Sequence, residues 1–297
     1  MILGFPDSRR QAMAVADILM ARYGEVDVHR FPDGESKLTL PAVEDEHVVV
    51  FRSLSDPNDK LVELLLVSRA LRNQGVKRLS LVAPYLCYMR QDFAFRPGEI
   101  VSQKIIGKFL AELFDDVVTV DPHLHRIGRL EEAVPAKNPI AVSAAPLFAR
   151  YLADRPDKPV LVGPDAESEQ WVSAIANACG LPFAVGFKQR FGDRTVSIKA
   201  PDVQVRGRSV VLIDDVASTG ATLVDAVAKL RMQGGEKIDV LVTHALFVEN
   251  AVAKLLRSGV SEIGSSDSIP HATNVVYLAP ILADTLRNAL DYNPNST

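Results

Sequence analysis

The sequence predicts an α/β protein made of two similar halves, each a mainly parallel sheet flanked by helices. Two observations carry this. Short runs of β-branched and apolar residues alternate with longer amphipathic stretches along nearly the whole chain, the pattern of parallel strands joined by crossover helices. In addition, one strand–loop–helix–strand segment occurs twice, from Val48 and from Val210, and both copies of its helix close on Leu-Arg-x-Gln-Gly. The two copies keep their elements in the same order, which points to an internal duplication.

Taken in order, Val48 to Phe51, Leu79 to Ala83, Val117 to Val120, Val160 to Gly163, Val210 to Ile213 and Val240 to Thr243 read as buried strands. Between them, Lys60 to Asn73, Ser102 to Phe114, Glu167 to Cys179, Thr222 to Met232 and Ala251 to Arg257 carry apolar residues at helical spacing. Gly75 and Gly234 stand where two of these helices should end, a position that favours glycine. The halves are expected to meet between residues 140 and 158, with Asp154 to Pro159 (DRPDKP) leading into the first strand of the second half. The boundary is placed to give domains 1–145 and 146–297.

Composition narrows the function. A 297-residue chain with 47% hydrophobic and 24% charged residues can bury a sizeable core. Its net charge of −4 argues against a nucleic-acid coat. No apolar run is long enough to cross a bilayer, since LVELLLVSRAL is interrupted by Glu63 and Arg69. The start, MILGFPDSRRQAMAV, does not read as a signal peptide. Two cysteines, Cys87 and Cys179, make a disulfide framework improbable and fit a reducing compartment. The expectation is a cytoplasmic protein that binds neither nucleic acid nor membrane.

The strongest chemical signal is VVLIDDVASTGATL, Val210 to Leu223. After an apolar strand come two carboxylates, Asp214 and Asp215, then Ser218, Thr219, Gly220 and Thr222 as a helix begins. Hydroxyls and backbone N–H groups at a helix N-terminus bind anions, and Gly220 allows close backbone approach. The two acids can accept from ribose hydroxyls. The segment lacks both GK[ST] and GxGxxG, so it is neither a Walker loop nor a dinucleotide fingerprint.

This segment resembles the phosphoribosyl-diphosphate (PRPP) loop shared by type I phosphoribosyltransferases and PRPP synthetases (ribose-phosphate diphosphokinases). The resemblance implies two phosphoribosyltransferase-type domains and assigns Asp214, Asp215, Ala217, Ser218, Thr219, Gly220, Ala221 and Thr222 to ribose 5-phosphate. Five further segments resemble the synthetases. FPDGES implies an ATP-binding role for Phe31, Asp33 and Glu35, contributed across a subunit contact. PYLCYMRQD adds Arg90, Gln91 and Asp92 to the ATP site. VDPHLH makes His123 the match to a Mg²⁺ ligand at the ATP site, with Asp121 beside it, and His125 is read as structural. VGPDAESE makes Asp165 a further cation candidate, although the commonest bacterial pattern has glycines where this chain has Glu167, Ser168 and Glu169. KQRFGDR matches a mobile catalytic loop through Lys188 and Arg190.

The resemblance therefore implies an enzyme that transfers the diphosphoryl group of ATP to the anomeric hydroxyl of ribose 5-phosphate, giving PRPP and AMP. Mg²⁺ would be its cofactor, and a homo-oligomer, dimer or hexamer, its assembly. Two alternatives stay open on sequence: a phosphoribosyltransferase that consumes PRPP, and a non-catalytic regulatory relative.

Overall fold

The computed structural model describes residues 1–124, 126–191, 195–199 and 205–293, and only the backbone of 187–191 and 195–199. The chain divides into two units, residues 1–142 with 278–297, and residues 143–277.

The first unit runs β1 (Ile2–Gly4), α1 (Arg9–Leu19), β2 (Tyr23–Glu25), β3 (Asp27–Arg30), β4 (Ser36–Thr39), β5 (His47–Phe51), α2 (Pro57–Asn73), β6 (Arg78–Ala83), α3 (Ser102–Leu113), β7 (Asp116–Val120) and β8 (Asn138–Val142). Its main sheet has the order β2-β1-β5-β6-β7-β8, every pair parallel. The central strands read VVVF, LSLVA and VVTV because helices cover both faces of a parallel sheet and leave no polar side. Residues 48–51, 79–83 and 116–120 are accordingly buried throughout. Strands β3 and β4 stand apart as an antiparallel hairpin.

The second unit repeats this plan. It runs α4 (Ala145–Ala153), β9 (Val160–Gly163), α5 (Glu169–Cys179), β10 (Phe183–Val185), β11 (Phe187–Phe191), β12 (Thr195–Lys199), β13 (Val210–Ala217), α6 (Ala221–Met232), β14 (Ile238–Ala245), α7 (Ala251–Arg257), β15 (Ile263–Ser266) and β16 (Asn274–Val276). Its parallel sheet has the order β10-β9-β13-β14-β15-β16, and β11–β12 form the matching hairpin. Val210, Leu212, Val240 and Val242 pack against Leu223, Val227 and Leu230 of α6. The duplication expected from the repeated Leu-Arg-x-Gln-Gly thus appears as one topology built twice.

The expected division at 145/146 differs from these units at the last helix, α8 (Ala279–Ala289). α8 packs on α1, and Arg287 Nη2 donates to the carbonyl of Ile18 at 3.2 Å. Beyond it, the carbonyl of Leu290 accepts from Arg78 Nη1 at 3.0 Å, and Tyr292 meets His47 edge to face. The helix that follows β8, α4, packs instead on α5 and β16 of the second unit. Each unit therefore takes its closing helix from the stretch that follows the other unit's last strand. Among the described residues, no helix is long and apolar enough to cross a membrane.

Candidate active site

In the second unit, β13 carries Asp214 and Asp215 at its C-terminal end, where ligands of open parallel sheets bind. The N–H of Asp215 donates to Asp214 Oδ1 at 3.0 Å, and the N–H of Val216 to Asp215 Oδ1 at 2.8 Å. Burial first, then the charges of Asp215 and Asp165, push the Asp214 carboxyl well above the usual carboxylate range. Three carboxylates thus share one electrostatic neighbourhood.

The loop after β13 is pinned on its carbonyl side and open on its amide side. The carbonyls of Ala217 and Ser218 accept from the N–H groups of Phe247 and Val248, at 2.9 and 3.2 Å. Gly220 caps α6 with φ +74°, a left-handed conformation that costs glycine little. No side chain caps this helix and its first turn holds no acid, whereas Lys229 and Arg231 sit in its last turn. Its leading N–H groups are therefore free of a side-chain acceptor, and its dipole favours an anion at the N-terminus. Ala221 and Thr222 open the helix, while Thr219 is exposed and Ser218 half-buried.

Asp165 begins a short turn of 3₁₀-helix, Ala166–Ser168, leading into α5. Its carboxylate accepts from the N–H of Glu167 at 3.1 Å, and Ser168 Oγ donates to the Asp165 carbonyl at 2.5 Å. The non-glycine stretch has a local explanation here. Ser168 is buried and completes the cap, while Glu167 and Glu169 are exposed. Lys188 and Arg190 fall on β11, paired with Ile198 and Val196 of β12, so the part of the expected loop up to Phe191 is strand, and its remaining residues, 192–194, lie outside the described residues. The side chains of Lys188 and Arg190 lie outside them too, as does His125.

In the first unit, residues 31–35 form the tip of the β3–β4 hairpin. The N–H of Phe31 donates to the Glu35 carbonyl at 2.8 Å, the N–H of Gly34 to the Phe31 carbonyl at 3.0 Å, and the N–H of Glu35 to Asp33 Oδ1 at 3.2 Å. Phe31 is 42% exposed and meets the His29 ring edge-on at 4.9 Å. An exposed aromatic braced in this way suits stacking against a planar ligand.

The segment after β6 is a buried turn ending in polar residues. Tyr85, Leu86, Cys87 and Met89 are buried, whereas Arg90 is exposed and Gln91 and Asp92 are half-exposed. Gln103 Nε2 anchors the turn by donating to the Met89 carbonyl at 3.0 Å, and Gln91 Nε2 donates to the Phe93 carbonyl at 3.3 Å. Asp92 Oδ1 holds Arg126 Nη1 at 2.5 Å, and the Arg126 guanidinium also lies 5.3 Å from the Phe93 ring and 5.5 Å from that of Phe95. Sequence reading missed Arg126, because nothing in spacing reveals a partner so distant along the chain. Asp121 follows β7 with φ +37° and is buried, and His123 is half-exposed two residues on. Among the described residues, no three His, Cys, Asp or Glu side chains gather into a metal cage.

Comparison with known proteins agrees with this anatomy. Residues 1–113 match the N-terminal domain of ribose phosphate pyrophosphokinase, and residues 136–280 the phosphoribosyl transferase domain. A ribose-phosphate pyrophosphokinase from Methanopyrus kandleri is 35% identical, over 97% of this chain and 98% of its own. The chain belongs to the ribose-phosphate pyrophosphokinase family. Another member, from Methanothermobacter thermautotrophicus, is 31% identical over 97% of this chain and the whole of its own. The crystal structure of phosphoribosylpyrophosphate synthetase from Mycobacterium smegmatis shares the fold, with a TM-score of 0.83, 98% of both chains covered and 23% identity. Membership in this family makes the chain an enzyme, a ribose-phosphate diphosphokinase with two phosphoribosyltransferase-type domains.

Proposed function

We propose that the two units divide the substrates of this diphosphokinase reaction: the second holds ribose 5-phosphate and the first holds ATP. The observation that carries the reading is the uncapped N-terminus of α6, behind Gly220 and immediately after the Asp214–Asp215 pair. The backbone of Ser218 to Thr222, with its hydroxyls, binds the 5-phosphate. Asp214 and Asp215 accept from the ribose hydroxyls, which orients the anomeric oxygen. That contact offsets the burial and the mutual repulsion that together raise the Asp214 pKa.

On the ATP side, Phe31 stacks on the base while Asp33 and Glu35 accept from its amino group or ribose. Arg90 and Gln91 supply donors to the nucleotide, and Asp92 holds their loop in place through Arg126. Lys188 and Arg190 stabilise the charge that develops on the transferring β-phosphoryl group and on departing AMP.

The donor set fits a Mg²⁺ ion brought in with the nucleotide. Mg²⁺ takes one or two protein ligands and completes its shell with phosphate oxygens and water, so a preformed three-donor cage is not required. His123 with Asp121 would hold it, and bound there it would neutralise phosphate charge, while Asp165 in the second unit is the candidate for a second cation. The feature that favoured a non-catalytic relative, the Glu167–Glu169 stretch, is accounted for by the Ser168 cap. By resemblance, the hairpin-borne ATP residues act across a contact between copies, so assembly into a homo-oligomer in the cytoplasm completes the proposal.

Incubation with ATP, Mg²⁺ and ribose 5-phosphate should release AMP and PRPP in equal amounts. Release of ADP, or no AMP unless a nucleobase and PRPP are supplied, would overturn the reading.

A further inference from the structure

The β3–β4 hairpin forms its own two-stranded sheet, and none of residues 27–39 is buried. A two-stranded ribbon in which only Val28 and Leu38 offer a half-buried apolar pair is marginal in water by itself. Polar ties at its base help set its orientation within the chain, and those ties converge on Glu63 of α2. Arg30 and Ser36 are register partners that flank the tip on either side. Ser36 Oγ donates to Glu63 Oε1 at 2.7 Å, and Arg30 Nη2 lies 3.7 Å from the same oxygen. Arg30 also pairs with Asp59, one turn earlier on the same face of α2.

The other Glu63 oxygen, Oε2, lies 2.6 Å from Arg52 Nη1, just beyond β5. That contact is close without hydrogen-bond alignment, so charge rather than direction holds it. Arg52 in turn lies over the Phe5 ring at 3.9 Å, and its Nε donates to Asp7 at 3.3 Å. Glu63 is fully buried and Arg52 is 4% exposed. A buried ion pair is seldom the most stable filling for such a space, because desolvation offsets much of the attraction. An apolar side chain could fill the volume. It could not accept from Ser36 and attract Arg30 while fixed to the sheet through Arg52.

We propose that Glu63, braced by Arg52, is a positioning residue for nucleotide binding: it sets the angle at which the hairpin presents Phe31, Asp33 and Glu35, and so tunes ATP affinity without touching ATP. This rests on the reading that the hairpin holds ATP.

The test is steady-state kinetics of the full chain, varying each substrate separately, with thermal unfolding alongside. Glu63→Gln should raise the KM for ATP about tenfold and Ser36→Ala about threefold. In both, kcat and the KM for ribose 5-phosphate should stay within about twofold of the parent, since only binding common to ground and transition states is lost. Ser36→Thr, which keeps the hydroxyl, should restore the parental KM. General destabilisation would lower the active fraction, and hence kcat, without singling out one substrate. The proposal is overturned if the KM for ATP is unmoved in Glu63→Gln and Ser36→Ala, or if all three parameters move together. Should Glu63→Gln not fold, Ser36→Ala decides by the same criterion. Phe31→Ala separates the two layers. If it raises the KM for ATP while the other variants do not, the positioning role alone fails. If it leaves that KM unchanged, the nucleotide reading fails and the proposal with it.

Discussion

β5 and β13 occupy the same place in the two sheets, yet the residues that follow their shared apolar run differ in kind. After Phe51 comes Arg52, buried and neutralised by Glu63 and Asp7. After Ile213 comes Asp214, buried in the field of the Asp215 and Asp165 carboxylates. The helices that follow diverge likewise. α2 opens with Pro57 and has Asp59 in its first turn, so part of its N-terminal dipole is met by its own acid. α6 opens behind Gly220 with neither cap nor acid. One strand end is charge-matched by the protein itself, while at the other Asp214 lies in the field of two more carboxylates, beside a helix N-terminus without a side-chain cap. In the proposed reading of this duplicated fold, the half that takes the phosphorylated sugar is the one whose strand end gathers like charges.

The largest effect expected from this contrast is on stability. Glu63→Ala should cost about 3–5 kcal/mol in chemical denaturation, because it strands a buried guanidinium. Replacing Glu63 by Leu and Arg52 by Met together should recover most of that loss, and an equal loss in the double variant would show that the first unit is not internally balanced. Next, Asp214→Asn should lower kcat/KM for ribose 5-phosphate about 100-fold, the loss expected for a charged hydrogen-bond acceptor. The same change should raise Tm at pH 7, since it removes repulsion, and a fall in Tm would break the comparison. Gly220→Ala should cost about 1–2 kcal/mol through its left-handed φ. Space is not the reason, because the nearest atom to an added Cβ, Leu255 Cγ, is 3.6 Å away.

The smallest effect is a difference in pH response. Burial first, then Arg78, lowers the His47 pKa to about 4. The unfolded chain therefore takes up a proton before the folded one does. Stability from neutral His47 is present above about pH 6.5 and is lost as pH falls toward 4. Asp214 has the opposite sign: its folded pKa is raised, so its contribution is fullest in acid and declines as pH rises from the unfolded carboxylate value to the folded one. Unfolding curves across pH should show His47→Gln flattening the acid-side loss and Asp214→Asn flattening the decline toward neutrality. Parallel slopes in the two variants would contradict the assignment.

The repeated helix ends and the runs from Val48, Leu79, Val117, Val160, Val210 and Val240 made the two sheets legible, because strands buried on both faces are apolar throughout. The hairpins were not legible. Asp27–Arg30 reads DVHR and lies on the surface, so it lacks the alternation that marks a strand. The Asp214–Gly220 loop could be read because its chemistry is contiguous in sequence. The Glu63–Arg52 and Asp92–Arg126 pairs could not, since charge pairing across folded elements leaves no local trace. The destination of α8 was equally hidden: an amphipathic helix shows which face it buries but not what it is buried against.

That last helix also bears on the order in which the protein can mature during synthesis. The first unit leaves the ribosome early, yet α1 receives α8 only when residues 279–289 have been made. The second unit already has α4 and can finish sooner. The half translated first is thus the half whose elements are completed last, and a chain truncated after Tyr277 would keep every element of the second unit while leaving the first without α8.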